Sequence, residues 1–167
     1  MKFTTTLIKH SDISEEQLTE ICKLKAIRWD YTLDQHKKWM IENIQANDFH
    51  ILINDGEKPI AYTNLVDITA IINDENVQVR GIGNVCTSET GKGFGNVLMK
   101  EVNTVLTQNQ WKGILLCKDH LVLYYEKFGW KLIDKHSVQA EKYNEINFMI
   151  YDFPQVVVSL TYNDRNF

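Results

Sequence analysis

Three of the chain's eight glycines stand at alternate positions, Gly91, Gly93 and Gly95, in the stretch TSETGKGFGNVLM (87–99), and an amphipathic run follows them at once. Glycine loses the most chain entropy on folding, so such a cluster marks either a turn or a place where a ligand meets bare backbone. A helix start adds unpaired N–H groups and the positive end of a dipole, which together suit an anion and phosphate above all. Two familiar phosphate motifs fail on spacing. A P-loop needs Lys followed by Ser or Thr after the last glycine, and Asn96-Val97 stands there. A dinucleotide fingerprint needs G-x-G-x-x-G; Asn96, Leu98 and Cys86 occupy the third-glycine positions counted from Gly91, Gly93 and Gly81. On the glycines alone, a ligand-free strand-to-helix turn stands level with an anion site.

The elements that would position this loop follow from periodicity. A first strand is expected over 2–9. SEEQ, from Ser14 to Gln17, fits a capping box, with Leu18, Ile21, Cys22 and Trp29 at helical spacing behind it. A second helix is expected over 33–44, with His36, Met40 and Ile44 on one face. HILINDGEKPIAYTNLV reads as a hairpin around Asp55-Gly56, followed by β-rich sequence to Ile72 and a turn in NDEN. VQVRGIGNVCT leads to the glycine cluster, and Gly81 and Gly83 mark a bulge or a close backbone approach within that strand.

Beyond the cluster, Phe94, Val97, Leu98, Val102, Val105 and Leu106 form a helical stripe. GILLC is apolar throughout, as in a central buried strand. HLVLYYEKFG is a short helix ended by Gly129. WKLID and NFMIYDF are the last clear strands, and QVVVSL is a candidate extra one. The order is strand, two helices, three strands, helix, strand, helix, then two or three strands: one mixed α/β domain over 1–167.

Composition narrows the function. A 44% hydrophobic and 24% charged chain of 167 residues is ordinary for a soluble globular domain able to bury a core. Its net charge of −4 leaves no basic footprint for nucleic acid. No apolar run approaches a membrane span, and the opening MKFTTTLIKHSDIS lacks a signal-peptide core, so a cytoplasmic protein is expected. Cys22, Cys86 and Cys117, odd in number and widely spaced, give neither a disulfide framework nor a zinc pattern, and no metal is expected.

A second stretch, LYYEKFGW (123–130), changes the weight of the glycine loop. Together the two resemble the GNAT superfamily of N-acetyltransferases. The family's first motif is a strand, a short turn and Q/R-x-x-G-x-G/A opening a helix. Val85, Cys86 and Thr87 match the strand, and Thr90, Gly91, Lys92, Gly93, Phe94 and Gly95 match the loop. The second has Tyr four residues before Gly and then an aromatic, matched by Tyr125, Gly129 and Trp130. The order of elements agrees over nearly the whole chain, the N-terminal third by pattern alone. Thr90 departs from the family's Gln or Arg, and Lys118 stands where many members have Asn. The stretch CKDHLVLYYEKFGW looks closer to a bacterial branch that includes aminoglycoside acetyltransferases.

The resemblance implies a fold of six to seven mostly antiparallel strands with about four helices and splayed central strands. It implies acetyl-CoA as co-substrate, its pyrophosphate on the N–H groups of residues 91 to 96 and its pantetheine arm beside Val85, Cys86 and Thr87. Lys92 either adds charge or is a solvated turn lysine, and Lys118 joins the cofactor set. The reaction is attack of a small-molecule primary amine on the thioester in a ternary complex. The N–H of Val85 or Cys86 would stabilise the oxyanion, and Tyr125 would act as acid toward the leaving thiolate.

An amine of pKa ~10.4 is neutral in roughly one molecule in two thousand at pH 7, a deficit of about 4 to 5 kcal/mol, so something must act as base or desolvate the amine. Glu89, Asp67 and Asp119 are candidates, none of which stands out from a surface or turn carboxylate. Cys86 and Cys117 invite an acyl-cysteine route, but apolar strand contexts favour small-hydrophobe roles. His120 reads as a cap or surface residue. Trp29 and Tyr31 either border the acceptor pocket or are core aromatics. The alternative function is a non-catalytic acyl-CoA-binding or sensing domain. The C-terminal strands are expected to leave an open edge and so to support a homodimer.

Overall fold

The structure, a computed structural model, describes residues 3–167. The chain forms nine strands, four α-helices and three short 3-10 segments among these residues: β1 Phe3–Lys9, α1 Glu15–Arg28, α2 Leu33–Asn43, β2 Phe49–Asp55, β3 Lys58–Ile72, β4 Glu75–Thr87, α3 Phe94–Gln108, β5 Gly113–Cys117, α4 Asp119–Glu126, β6 Lys131–Leu132, β7 Val138–Gln139, β8 Asn147–Tyr151 and β9 Leu160–Thr161. The sheet is mixed and mostly antiparallel; β4–β5 and β7–β9 are its parallel pairs among those described. Three of the nine strands have two residues only, so the six longer ones match the expected number. Lys2, expected in the first strand, lies outside the described residues.

Two compact units make up the chain, and neither is contiguous: one gathers 1–66, 83–102 and 167, the other 67–82 and 103–166. In the first unit, β1 pairs antiparallel with β2, and β2 with β3 through a two-residue turn at Gly56 (φ 63) and Glu57. Helices α1 and α2 each start with a complete capping box. Ser14 Oγ accepts from Gln17 N–H at 3.1 Å while Gln17 Oε1 accepts from Ser14 N–H at 3.0 Å. Thr32 and Gln35 repeat the exchange at the start of α2, a box the helix pattern alone did not reveal. Each box satisfies two helix-start donors. Leu18, Ile21, Cys22 and Leu24 of α1 and His36, Met40 and Ile44 at α2 are buried, so α2 keeps the expected face.

In the second unit the turn within NDEN is just Asn73 and Asp74, both left-handed (φ 52 and 66), the geometry of a tight two-residue hairpin. β5 runs parallel to β4 over Arg80↔Gly113 to Ile82↔Leu115 and antiparallel to β8 along its whole length. The parallel ladder stops at Ile82, and β5 continues to Cys117 paired with β8. A Cβ on Gly113 would meet Trp130 at 2.6 Å, so the ring of Trp130 (1% exposed) packs directly on the start of β5, its indole N–H donating to Asn103 Oδ1 at 3.0 Å.

Two expectations are refined here. The open edge expected at NFMIYDF is narrowed: β8 pairs along its whole length with β5 on one side, while on the other β6 covers Met149 and Ile150 alone. QVVVSL is not a strand as a whole; only Leu160 of it enters β9, which pairs with Ile71 and Ile72 of β3 and with β7. Among the described residues, no helix is long and apolar enough to cross a membrane.

Candidate active site

The first unit holds most of the expected site. Val85, Cys86 and Thr87 end β4, and Thr90 through Gly93 form an exposed turn into α3. Gly91 (φ 74) and Gly93 (φ 78) are left-handed, and a Cβ at either would meet nothing within 4 Å. Packing therefore does not demand glycine here; the backbone conformation does, and it leaves main chain bare on an open surface. Phe94 is buried and meets Phe3 edge-on at 6.2 Å, anchoring the helix start. The N–H groups of Asn96 and Val97 both turn back to the Gly93 carbonyl, at 3.0 and 3.2 Å. Of the six amides expected to cradle an anion, that of Asn96 is thus committed to the first turn of the helix, which Phe94 opens.

Gly81 and Gly83 were expected to mark a bulge or a close backbone approach in β4. Gly83 lies outside the left-handed region, whereas Asn84 has φ 52 within the strand. The Asn84 amide donates to Asn64 Oδ1 at 2.6 Å, and the Gly83 carbonyl accepts from Thr63 Oγ1 at 2.7 Å. Gly83 shows the expected close approach: its missing Cβ would fall 2.1 Å from the backbone C atom of Phe167.

Trp29 and Tyr31 are brought together, and neither is a core residue. They border a cavity of about 670 Å³ with Lys25, His36, Trp39, Asn84 and Phe167. The His36 ring meets Tyr31 edge-on at 5.7 Å, and its Nε2 lies 3.3 Å from the Trp29 carbonyl, so Nε2 carries the proton and donates. Burial lowers the pKa of His36 and keeps the imidazole neutral. Lys25 is 2% exposed; burial brings its pKa down to about 8. Lys25, His36 and Asn84 were not singled out from the sequence as pocket residues; His36 showed only as one of a buried face.

Lys118 and Tyr125 lie in the second unit. Lys118 is the exposed N-cap of α4, and it makes no side-chain cap. Tyr125 is buried near the C-terminal end of α4 and touches Tyr124 at 5.1 Å. Burial first, then Tyr124 and Cys117, push its pKa well above the ordinary value.

The carboxylates expected as bases are engaged elsewhere. Glu89 lies 3.8 Å from Lys58, and Asp67 lies 3.5 Å from Arg80. Asp119 accepts from Asn147 at 2.7 Å, which with Lys135 holds it below the usual carboxylate range. Burial pushes the thiols of Cys86 and Cys117 up to about 12 and about 11, which removes the thiolate an acyl-cysteine route needs. His120 is exposed, as expected of a cap or surface residue.

By sequence, no family model and no curated protein matches the chain. By structure the fold is that of GNAT N-acetyltransferases. Escherichia coli ElaA aligns over 90% of this chain and all of its own with a TM-score of 0.64 at 18% identity. The GNAT family N-acetyltransferase YhbS of Escherichia coli, solved in complex with CoA, aligns over 96% of this chain and 89% of its own with a TM-score of 0.65 at 15% identity. An aminoglycoside 6'-N-acetyltransferase complexed with coenzyme A covers 88% of this chain and 94% of its own, with a TM-score of 0.62 at 9% identity.

Proposed function

We propose that the chain is an N-acetyltransferase that moves an acetyl group from acetyl-CoA to a primary amine of a small molecule by direct attack in a ternary complex. One observation carries this reading: two successive left-handed glycines, open on their Cβ side, expose main chain between the end of β4 and the start of α3. The amides of residues 91 to 95 then receive the pyrophosphate, with side chains kept out of its way. Val85, Cys86 and Thr87 offer strand backbone to the amides of the pantetheine arm. The neighbours solved with CoA support the choice of ligand.

In the reaction the amine nitrogen bonds to the thioester carbonyl carbon, and the carbonyl oxygen takes the negative charge. A β4 N–H, at Val85 or Cys86, stabilises that charge. Collapse breaks the C–S bond, the acyl nitrogen loses a proton to base, and the sulfur gains one. Tyr125 donates toward the sulfur. His36 is the pocket residue placed to take the amine proton: it is neutral, and with Nε2–H on the Trp29 carbonyl its Nδ1 keeps a lone pair. The acceptor enters the cavity bordered by Trp29 and Tyr31.

An amine-panel assay of acetyl-CoA-dependent release of free CoA tests this directly. Turnover with an amine supports the enzyme. Saturable CoA binding without turnover on any amine replaces it with an acyl-CoA-binding or sensing domain.

A further inference from the structure

Among the described residues other than glycine, Asn84 is the one that takes a left-handed backbone (φ 52) inside a strand; the others with positive φ lie in turns and loops. Glycine adopts this conformation without strain, yet the chain has glycine at 83, where φ is not positive, and asparagine at 84. The strain is thus kept together with a side chain. That side chain is held from one side only. Its Nδ2 donates to Asn64 Oδ1 at 2.6 Å, and its Oδ1 has no partner among the described residues. Asn64 is fully buried, and its own Nδ2 is left without a hydrogen bond. A buried amide with an unpaired N–H costs free energy that an apolar residue of similar size would not. Thr63 Oγ1 donates to the Gly83 carbonyl at 2.7 Å and pins the main chain just ahead of Asn84. One amide with a free oxygen is thereby fixed in a residue that lines the cavity with Trp29, Tyr31, His36, Trp39 and Phe167. Along the chain it stands next to Val85, one of the two β4 residues assigned to the oxyanion.

We infer that Asn84 holds the acceptor nitrogen: its Oδ1 accepts an N–H of the bound primary amine beside the thioester carbonyl carbon, and Asn64 is a positioning residue for it. This rests on the acetyl-transfer reading for the reaction but not for the binding of the amine. An ammonium that has given one proton to the base keeps two N–H bonds and gains a lone pair. With one N–H on Asn84 Oδ1 the nitrogen no longer turns freely, and its lone pair is held toward the carbon that it attacks. A neutral amide suits this task better than a carboxylate, which would favour the protonated amine and withhold the lone pair.

The test uses a panel of phenethylamine, tryptamine, isopentylamine and spermidine. Binding is measured by calorimetry in the presence of CoA, and turnover by CoA release from acetyl-CoA. Asn84→Gly keeps the left-handed backbone and removes the amide. It should lower kcat/KM by about tenfold, the size of one hydrogen bond, with the affinity for CoA unchanged. Asn84→Asp gives the readout that a merely structural role would not move: it should bind a panel amine more tightly and turn it over more slowly at pH 7. Asn64→Leu should lower kcat/KM in wild type and have no further effect in Asn84→Gly, because it acts through Asn84. The inference is overturned if no amine of the panel binds, if Asn84→Gly leaves kcat/KM at the wild-type value or lowers CoA affinity in step, or if Asn84→Asp weakens amine binding. An effect of Asn64→Leu that persists in Asn84→Gly removes the positioning role. Asn84-dependent binding of an amine without turnover sustains the assignment of Asn84 and defeats the acetyl-transfer reading. Turnover that ignores both Asn84 variants does the opposite.

Discussion

The backbone of Gly83 in β4 lies against the backbone of Phe167, so closely that a Cβ on Gly83 would sit 2.1 Å from the Phe167 carbonyl carbon and 2.8 Å from its oxygen. Gly83 has no positive φ, and besides Phe167 its Cβ would meet the Asn64 side-chain nitrogen at 3.3 Å, a contact that a small shift of that side chain relieves. Gly83→Ala must therefore displace Phe167, which borders the acceptor cavity, and the strand itself can persist. The expected result is a folded protein with unchanged CoA affinity and a KM for the acceptor raised about tenfold, the equivalent of ~1.4 kcal/mol of lost apolar contact. Steady-state kinetics against calorimetry with CoA separates the two effects. Loss of CoA affinity in the same variant would show that the contact supports the cofactor loop instead.

The glycine loop makes its own prediction. At Gly93 a Cβ meets no protein atom within 4 Å, but φ 78 penalises any residue that carries one. Gly93→Ala should cost about 1 kcal/mol or slightly more in unfolding free energy and leave the fold intact. Gly93→Val should also fold, since the position is exposed, and should lose CoA binding because its branched side chain occupies the face on which the amides lie. Wild type should bind CoA and acetyl-CoA with similar affinity. Wild-type calorimetric binding in a folded Gly93→Val protein removes the loop from the cofactor site.

Much of this was legible in the sequence because it depends on local rules. The Ser14–Gln17 capping box, the Gly56 turn and the glycine pair before α3 are each set by residues within a few positions, and each is found as expected. Of the two expectations for Gly81 and Gly83, a bulge or a close backbone approach, Gly83 shows the close approach, while the left-handed position beside it is taken by Asn84, a residue type that tolerates it better than most. β6 and β9 shrank to two residues because a strand's length depends on which neighbour covers it, and that is a long-range fact. Lys25 was invisible for the same reason. A lysine on an amphipathic helix reads as solvent-facing, and only the packing of α2 places Trp39 and Met40 around its ammonium.

That buried ammonium gives a pH signature in stability. The pKa of Lys25 is lowered from 10.5 to about 8 in the folded protein. Between those values the unfolded chain binds more protons than the folded one, so stability rises with pH across the window. Below pH 8 the penalty is fully present, and it is relieved as the pH passes 10.5. The unfolding free energy of wild type should gain up to about 3 kcal/mol relative to Lys25→Met between those limits, at 1.36 kcal/mol per unit. Urea unfolding of both proteins at a series of pH values measures the difference. A constant difference would mean that Lys25 is hydrated in the native state.

Tyr125 carries the most exposed chemical claim, since its environment opposes ionisation. Burial, with Tyr124 and Cys117 adding to it, holds its pKa far above that of a thiol, and the end of α4 presents carbonyl groups, not amides. Full transfer of its proton to a CoA thiolate is uphill, because an unperturbed tyrosine is already the weaker acid by about 1.5 units. What burial preserves is the protonated hydroxyl, a hydrogen-bond donor at any pH at which the protein is folded. Its contribution then lies at the low end of the ~10²- to 10⁴-fold range of general acids, and Tyr125→Phe should lower kcat on the order of 10²-fold with acetyl-CoA affinity unchanged. Among the described residues no hydrogen bond engages the hydroxyl. Removing it should therefore change stability by no more than about 0.5 kcal/mol, and a loss of rate cannot be assigned to a loss of fold. The wild-type kcat profile should show no alkaline limb from this residue below about pH 10, since a group with a raised pKa stays protonated there. Single-turnover mixing, which isolates the chemical step from product release, reads the rate. An unchanged single-turnover rate in folded Tyr125→Phe would leave Tyr125 as a packed aromatic beside Tyr124 and give the leaving thiolate no protein donor at this position.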